Sequence, residues 1–121
     1  MKAIYTEKAP QPVGPYSQAI KSNGFLFVSG QLGVDTDGNV PDTIEGQTEQ
    51  CIKNIKEILA KETLTIKNVV KATVFLTTMD DFSKMNSVYE KHFTGKPARA
   101  AVGVSLLKDF KVEIEVIATY E

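Results

Sequence analysis

The stretch that decides the fold is RAAVGVSLLKDFKVE, which runs from Arg99 to Glu113. Its two short apolar runs predict two strands joined by a brief polar turn. Because side chains alternate along a strand, Arg99 and Ala101 are predicted to share the face opposite Val102. On the second strand, Glu113 and Glu115 are predicted to project away from an apolar stripe. The pattern therefore predicts that the Arg99 guanidinium meets the Glu113 carboxylate, as a pair able to bind a small carboxylate and to position a water.

Upstream of this stretch, helical spacing of apolar residues predicts an amphipathic helix from Thr43 to about Lys61. A second helix is predicted to begin at Asp80 or Asp81, either of which can cap it, and to end before Gly95. Between them, Val69 to Leu76 is β-branched and apolar on both faces, which predicts a central strand with both faces covered.

The N-terminal third is predicted to begin as an ordered loop or sheet edge, rich in proline and glycine, and not as a helix. Residues 18–21 and 25–28 then predict a hairpin around a turn at residues 22–24, with residues 29–31 ending its second strand. The resulting order is β-β-α-β-α-β-β, an α+β arrangement of a mixed β-sheet with two helices on one face. Phe75 and Val69 are predicted to lie on the other face, which we expect another copy of the chain to cover.

Composition excludes several classes of function. The chain has 121 residues, the size of a single domain, which we predict to span residues 1–121. Its 14 Lys and Arg against 15 Asp and Glu give a net charge of -1, which does not favour nucleic acid as a partner. No apolar run is long enough to cross a membrane. The lone Cys51 cannot form an internal disulfide, and with the lone His92 it gives no His/Cys metal site. We therefore expect no metal, and we expect Cys51 to be a small buried thiol. Together with the lack of a membrane-spanning run, this predicts a soluble, cytoplasmic protein.

Several separated motifs occur in one order along almost the whole chain. They are GPYSQ at residues 14–18, SGQ at 29–31, VVKATVFL at 69–76, the segment 86–90, PAR at 97–99 and VEIEVIA at 112–118. Together they resemble the RidA family, also called the YjgF family. The combination in register is far more specific than any one motif.

The resemblance implies a chorismate-mutase-like protomer that assembles as a homotrimer, with the sheets forming a central barrel and a cleft at each subunit interface. It also implies hydrolysis of reactive 2-imino acids, such as 2-iminobutanoate and 2-iminopropanoate, to the 2-keto acid and ammonia. No cofactor is expected.

The resemblance assigns catalytic roles to three residues. Arg99 would hold the substrate carboxylate in a bidentate fork, as guanidinium groups do. Glu113 would orient the attacking water and transfer protons. Tyr16 would close one side of the cleft with its phenol. On strand alternation alone Glu115 is placed as well as Glu113, and only the family separates the two.

Three more residues are predicted to contact substrate. Gly30 would let the backbone approach the ligand closely, and Asn86 would lie near the cleft. Ala101 stands where many relatives have a cysteine, and its side chain is predicted to point into the cleft beside Arg99. Because alanine has no nucleophile, we favour attack by a water held by Glu113 and the carbonyl of residue 101.

Three alternatives stay open. One is a non-catalytic trimer that binds keto or amino acids for regulation. Another is an endoribonuclease or translation inhibitor, against which stand the single histidine and the lack of basic excess. The third is an interaction protein with no ligand, in which Arg99→Ala changes nothing measurable.

Overall fold

One mixed β-sheet with two α-helices forms the structure, a computed structural model that describes residues 1–121. The strands and helices are Lys2–Ile4 (β1), Ala19–Ser22 (β2), Phe25–Leu32 (β3), Ile44–Lys61 (α1), Val69–Leu76 (β4), Phe82–His92 (α2), Ala98–Gly103 (β5) and Val112–Thr119 (β6). The strand order is β1-β2-β3-β6-β4-β5, and only the β4–β5 pair is parallel. The predicted α+β class is confirmed, but the predicted order of elements lacked β1.

The helices pack on one face of the sheet and enclose the core. α1 contacts β3 and β6, and α2 packs against α1. The Thr43 hydroxyl accepts a hydrogen bond of 3.0 Å from the Gly46 amide, so α1 begins where the sequence predicted. α2 begins differently: neither predicted aspartate caps it through its side chain, and the Thr78 hydroxyl instead caps the short 3₁₀ turn before it.

The β2–β3 hairpin has the predicted turn but a longer second strand. Asn23 and Gly24 have φ values of 56° and 82°, as a two-residue type I′ turn requires. The predicted end of the strand at residues 29–31 is wrong, because β3 continues through them. The register shifts there between Val28 and Gln31, so the serine and glycine mark a bulge rather than a strand end.

The alternation predicted for β4 is wrong at its first residues. A register shift between Val69 and Lys71 turns Val69 into the core and leaves Val70 41% exposed. Only the helix-covered face of β4 is fully buried, whereas Phe75 on the other face is half-buried. The open face also carries Phe25 and Phe27, whose rings lie 6.3 Å apart and are each more than a third exposed.

The connection between β5 and β6 also differs from the prediction. These strands are not neighbours, because β4 lies between them. The chain crosses the end of β4 in residues 104–111, a segment that presents Leu107 with 76% of its surface exposed. A brief polar turn is therefore the wrong description of this segment. Neither helix is both long and apolar enough to cross a membrane.

Candidate functional site

Arg99 lies on β5 with its guanidinium held by three groups of α2. Its Nη1 donates a hydrogen bond of 2.6 Å to Asn86 Oδ1. The guanidinium carbon lies 4.7 Å from the ring centroid of Tyr89 and 5.6 Å from that of Phe82. These contacts orient the planar group, and its other N–H donors have no partner within the protomer. A fixed guanidinium with free donors is suited to a carboxylate ligand.

A cavity of about 410 Å³ opens beside this arginine. Its lining includes Asn86, Tyr89, Lys96 and Arg99. The hydroxyl of Tyr89 is buried and has no hydrogen-bond partner. Burial raises the pKa of Tyr89, while the nearby charge of Arg99 acts in the opposite direction. This end of the protein therefore offers positive charge and one unused buried donor.

Glu113 lies elsewhere, between two apolar neighbours. It is directly opposite Leu32 on β3 and Phe75 on β4, and the carboxyl is half-buried. Burial, and secondarily the charge of Glu115, raise the pKa of Glu113 above its usual range. A carboxylate that is a stronger base than usual is suited to accept a proton from water.

Gly30 is brought against Glu113 by the pairing of β3 with β6. A Cβ built on Gly30 would lie 2.5 Å from Glu113 Oε2 and 2.8 Å from its Cδ. No side chain fits there while the carboxylate keeps its position. The glycine is therefore required because the Glu113 carboxylate lies directly on the backbone of β3.

Tyr16 and Gly30 line a second cavity, of about 500 Å³. Tyr16 is 52% exposed, and its loop precedes β2. The structure thus groups the predicted site residues into two sets. Gly30, Tyr16 and Glu113 form the acid set, and Arg99 with Asn86 forms the arginine set.

The two sets do not meet within one protomer. Arg99 pairs with Ala72, whose side chain is buried under the helices, whereas Glu113 pairs with Phe75 on the open face. Residues directly opposite each other in a sheet share a face, so the guanidinium and the carboxylate lie on opposite faces. The prediction that the two side chains meet is therefore wrong within one chain. Alternation along each strand does not show that β4 lies between β5 and β6, and it does not show that the two residues point to different faces.

Ala101 lies on the same face of β5 as Arg99, as the sequence predicted, since it pairs with the buried Val74. Its side chain is half-buried and packs against the hydrophobic core. Cys51 is fully buried, its thiol lies 3.7 Å from the Val112 carbonyl, and burial raises its pKa. The prediction of a small buried thiol at Cys51 is confirmed.

The aromatic support of Arg99 was not predicted from the sequence. Tyr89 and Phe82 fall on the apolar stripe of α2, which is typical of core residues. The signal that could have found them is their spacing around Asn86, which puts an amide and two rings on neighbouring turns of one helix.

Comparisons with known proteins agree on one family. The sequence profile described as Endoribonuclease L-PSP matches residues 6–120. A RutC family protein of Pyrococcus horikoshii is 50% identical over 124 residues, which cover 99% of this chain and 98% of that protein. Reactive Intermediate Deaminase A, chloroplastic, of Arabidopsis thaliana is 44% identical over 98% of this chain and 65% of that protein.

Solved structures extend the agreement to the fold. The crystal structure of E. coli TdcF with bound serine matches with a TM-score of 0.95 and 35% identity, and the match covers 100% of both chains. The fold is that of a family whose members bind small molecules. The chain belongs to the RidA (YjgF) family, which includes reactive intermediate deaminases.

Proposed function

We propose that this protein hydrolyses reactive 2-imino acids, including 2-iminobutanoate and 2-iminopropanoate, to 2-keto acids and ammonia. The observation that carries the proposal is the Arg99 guanidinium, held by Asn86 and two rings with its remaining donors free. Such a group binds a carboxylate, the one charge that every substrate of this class has. We place the reaction in the cytoplasm, since the lone cysteine is a buried free thiol.

The active site in this proposal is composite and lies at the interface of a homotrimer. Arg99 and Glu113 lie on opposite faces of one sheet, so a shared cleft needs Arg99 of one protomer and Glu113 of the next. The exposed aromatic rings of Phe25 and Phe27 support association through the open face, which would form the central barrel. A closed ring repeats this contact at every interface.

The reaction begins with the substrate carboxylate on Arg99 and its imine carbon facing the acid set of the neighbouring protomer. The Glu113 carboxylate takes a proton from water as the water oxygen bonds to the carbon of the protonated imine, which gives a neutral tetrahedral amino alcohol. Glu113 then gives this proton to nitrogen, and it takes the hydroxyl proton as the C–N bond breaks and the C=O bond forms. One keto acid and one ammonia leave for each water consumed, and Glu113 releases its proton to solvent. We assign the Tyr16 phenol to hydrogen bond the reacting atoms and the Ala101 carbonyl to hold the water.

The test is to produce the imine from threonine with a threonine dehydratase and to trap it with semicarbazide. Wild-type protein should suppress the semicarbazone, whereas Arg99→Ala and Glu113→Gln should not. Glu115→Gln is the matched control, because this glutamate is two residues away on the same strand face and should retain suppression at neutral pH. An unchanged adduct with wild-type protein rules out the enzyme.

A second candidate is a non-catalytic trimer that binds keto or amino acids. The structure of TdcF with bound serine favours this candidate, because that relative binds an amino acid. This candidate predicts saturable binding of 2-ketobutyrate with no change in semicarbazone formation. The endoribonuclease alternative, which shares the description of the family profile, predicts RNA binding that weakens steeply with salt.

A further inference from the structure

We propose that Asn54 of α1 is a positioning residue for the reaction, because it holds the end of β3 against the helix and so keeps the apolar cover of Glu113 in place. This inference rests on the proposed function and names a further residue that the reaction needs. Residues 32–34, where β3 ends, are called the β3 turn below.

The β3 turn is held to α1 by one buried amide. Asn54 is 2% exposed, and its Nδ2 donates hydrogen bonds to the Leu32 carbonyl at 3.2 Å and to the Val34 carbonyl at 2.9 Å. Both hydrogens of this nitrogen are therefore used on one short segment of chain. The Val34 amide also donates to the Leu32 carbonyl at 2.9 Å, so the chain turns sharply at this point.

The orientation of the Asn54 amide is fixed from its other end. Gln50 lies one turn earlier on α1, and its Nε2 donates to Asn54 Oδ1 at 2.8 Å. Because a backbone carbonyl can only accept, the Asn54 nitrogen must be the atom that faces Leu32 and Val34. A buried asparagine in the middle of a helix is costly unless its polar groups are paired, and here both donors serve the β3 turn.

A glycine contact shows how closely the β3 turn lies on the helix. A Cβ built on Gly33 would lie 2.6 Å from Gln47 Cβ and 2.8 Å from Gln47 Cα. The second of these atoms belongs to the helix backbone and cannot rotate away, so only glycine allows this approach. The contact is independent of the Asn54 hydrogen bonds, and it places the same segment on the same helix.

The β3 turn matters to the reaction because it carries a side chain that covers Glu113. Leu32 lies directly opposite Glu113 in the β3–β6 pairing, and residues opposite each other share a face of the sheet. Burial is the larger of the two causes that raise the pKa of Glu113. A β3 turn that leaves α1 takes Leu32 with it, admits water to the carboxyl group and lowers its pKa towards the usual range.

The charges around Glu113 lie outside the β3 turn. Glu115, on the same strand, is the only charge among the causes of the raised pKa. The other titratable groups nearby are Cys51 of α1, Tyr16, Asp35 and Lys108 around the adjoining cavity, and, in the proposed homotrimer, Arg99 of the next protomer. A change in the Glu113 titration when the turn is loosened therefore reports exposure of the carboxyl group to water.

Two variants loosen the β3 turn in different ways. Asn54→Leu removes both hydrogen bonds at nearly constant side-chain volume, and Gly33→Ala pushes the turn away while Asn54 stays intact. Thr48→Val is the matched control, because the buried Thr48 hydroxyl donates to the Ile44 carbonyl of α1 itself at 2.8 Å. The control thus loses a buried hydrogen bond of the same helix that holds no other segment.

Hydrogen exchange measured by mass spectrometry reports on the turn itself. In variants that circular dichroism shows to be folded, peptides that cover residues 32–39 should exchange at least about tenfold faster in Asn54→Leu and Gly33→Ala than in wild type. The same peptides should exchange at the wild-type rate in Thr48→Val.

Two further measurements connect the turn to Glu113. An NMR titration of ¹³C-labelled glutamate carboxyls, with the signal assigned by its absence in Glu113→Gln, gives the pKa of Glu113 without any catalysis. This pKa should be lower in Asn54→Leu and Gly33→Ala than in wild type. The acid limb of kcat/KM for the imine that threonine dehydratase produces should move to lower pH with it, because the ionised carboxylate is the active form.

The outcomes separate this inference from the proposed function. Unchanged exchange of residues 32–39, or an unchanged Glu113 titration in the two variants, overturns the inference and leaves the proposed function standing. Equal changes in Thr48→Val also overturn it, because the loss of any buried bond of α1 would then suffice. Faster exchange with a lower Glu113 pKa in both variants, and neither change in the control, supports the inference.

The inference stays testable if a variant or the proposed activity fails. Wild-type protein without imine hydrolysis overturns the proposed function, and the exchange and the NMR titration then still decide whether Asn54 keeps the cover of Glu113 in place. If Asn54→Leu does not fold, Gly33→Ala decides together with Gln50→Leu, which removes only the donor that orients the Asn54 amide. Gln50→Leu should change both quantities in the same direction and by less, and no change in either variant overturns the inference.

Discussion

Replacing Gly30 with alanine should disable catalysis with little effect on the fold. The new Cβ would lie 2.5 Å from Glu113 Oε2, whereas ordinary contacts begin at 3.4 Å. The carboxylate is the end of a flexible side chain, and Gly30 does not have a positive φ, so Glu113 can yield by about 1 Å without breaking the β3–β6 pairing. A displacement of about 1 Å costs roughly 100-fold in rate, close to 2.7 kcal/mol of transition-state stabilisation.

The assay compares kcat for imine hydrolysis and the melting temperature of wild-type protein and Gly30→Ala. We expect kcat to fall about 100-fold and the melting temperature to fall by only a few degrees, because overpacking of about 1 kcal/mol is relieved by the side chain. Gly95→Ala is the control, since a Cβ there would meet nothing within 4 Å and the substitution should leave both quantities unchanged.

A double-mutant comparison tests the cause of the loss. If Gly30→Ala acts only through Glu113, adding it to Glu113→Gln should lower the residual rate no further. Retention of kcat within about twofold of wild type in Gly30→Ala, or a full additional loss in the double mutant, would refute this account of the acid set.

Three other substitutions test the remaining contacts. Glu115→Gln removes one of the two causes that raise the pKa of Glu113, and because the ionised carboxylate is the active form, the acid limb of the kcat/KM profile should move to lower pH. Burial is the larger cause, so the limb should remain above the usual range of a glutamate. Tyr89→Phe removes a buried hydroxyl without a partner but keeps the ring beneath Arg99, so the melting temperature should stay equal or rise and kcat/KM should stay within about threefold. Tyr89→Leu should instead raise KM about tenfold, because the guanidinium loses its ring. Gln47→Leu leaves two backbone groups without a partner, because the buried Gln47 side chain accepts from the Lys111 amide at 2.8 Å and donates to the Pro41 carbonyl at 3.0 Å. Urea unfolding should report a free energy of unfolding lower by about 2–4 kcal/mol.

The elements that could be predicted from sequence are those with strong local signals. The helical period located α1, and the asparagine and glycine of the hairpin suit the positive φ values that its turn requires. The missed strand β1 has only three residues, and its pairing with β2 is a tertiary contact with no local signature.

The errors at the site share one physical reason. Alternation along a strand shows which side chains of that strand share a face. It does not show whether they share that face with a residue on another strand. The bulges beside Val28 and Val69 each shift that alternation by one residue, and β4 separates the strands of Arg99 and Glu113. The family motifs identified the candidate residues, whereas only coordinates divide them into two sets on opposite faces.

Complementation between inactive chains tests the composite site most directly. Arg99→Ala and Glu113→Gln, carrying different affinity tags, are refolded together, and assemblies that contain both tags are purified. In the proposed homotrimer, every mixed assembly has one interface where an intact Arg99 faces an intact Glu113 of the next protomer, so activity per chain should return to about a third of wild type. Mixed trimers no more active than either parent would contradict the claim that the two residues act across a subunit interface.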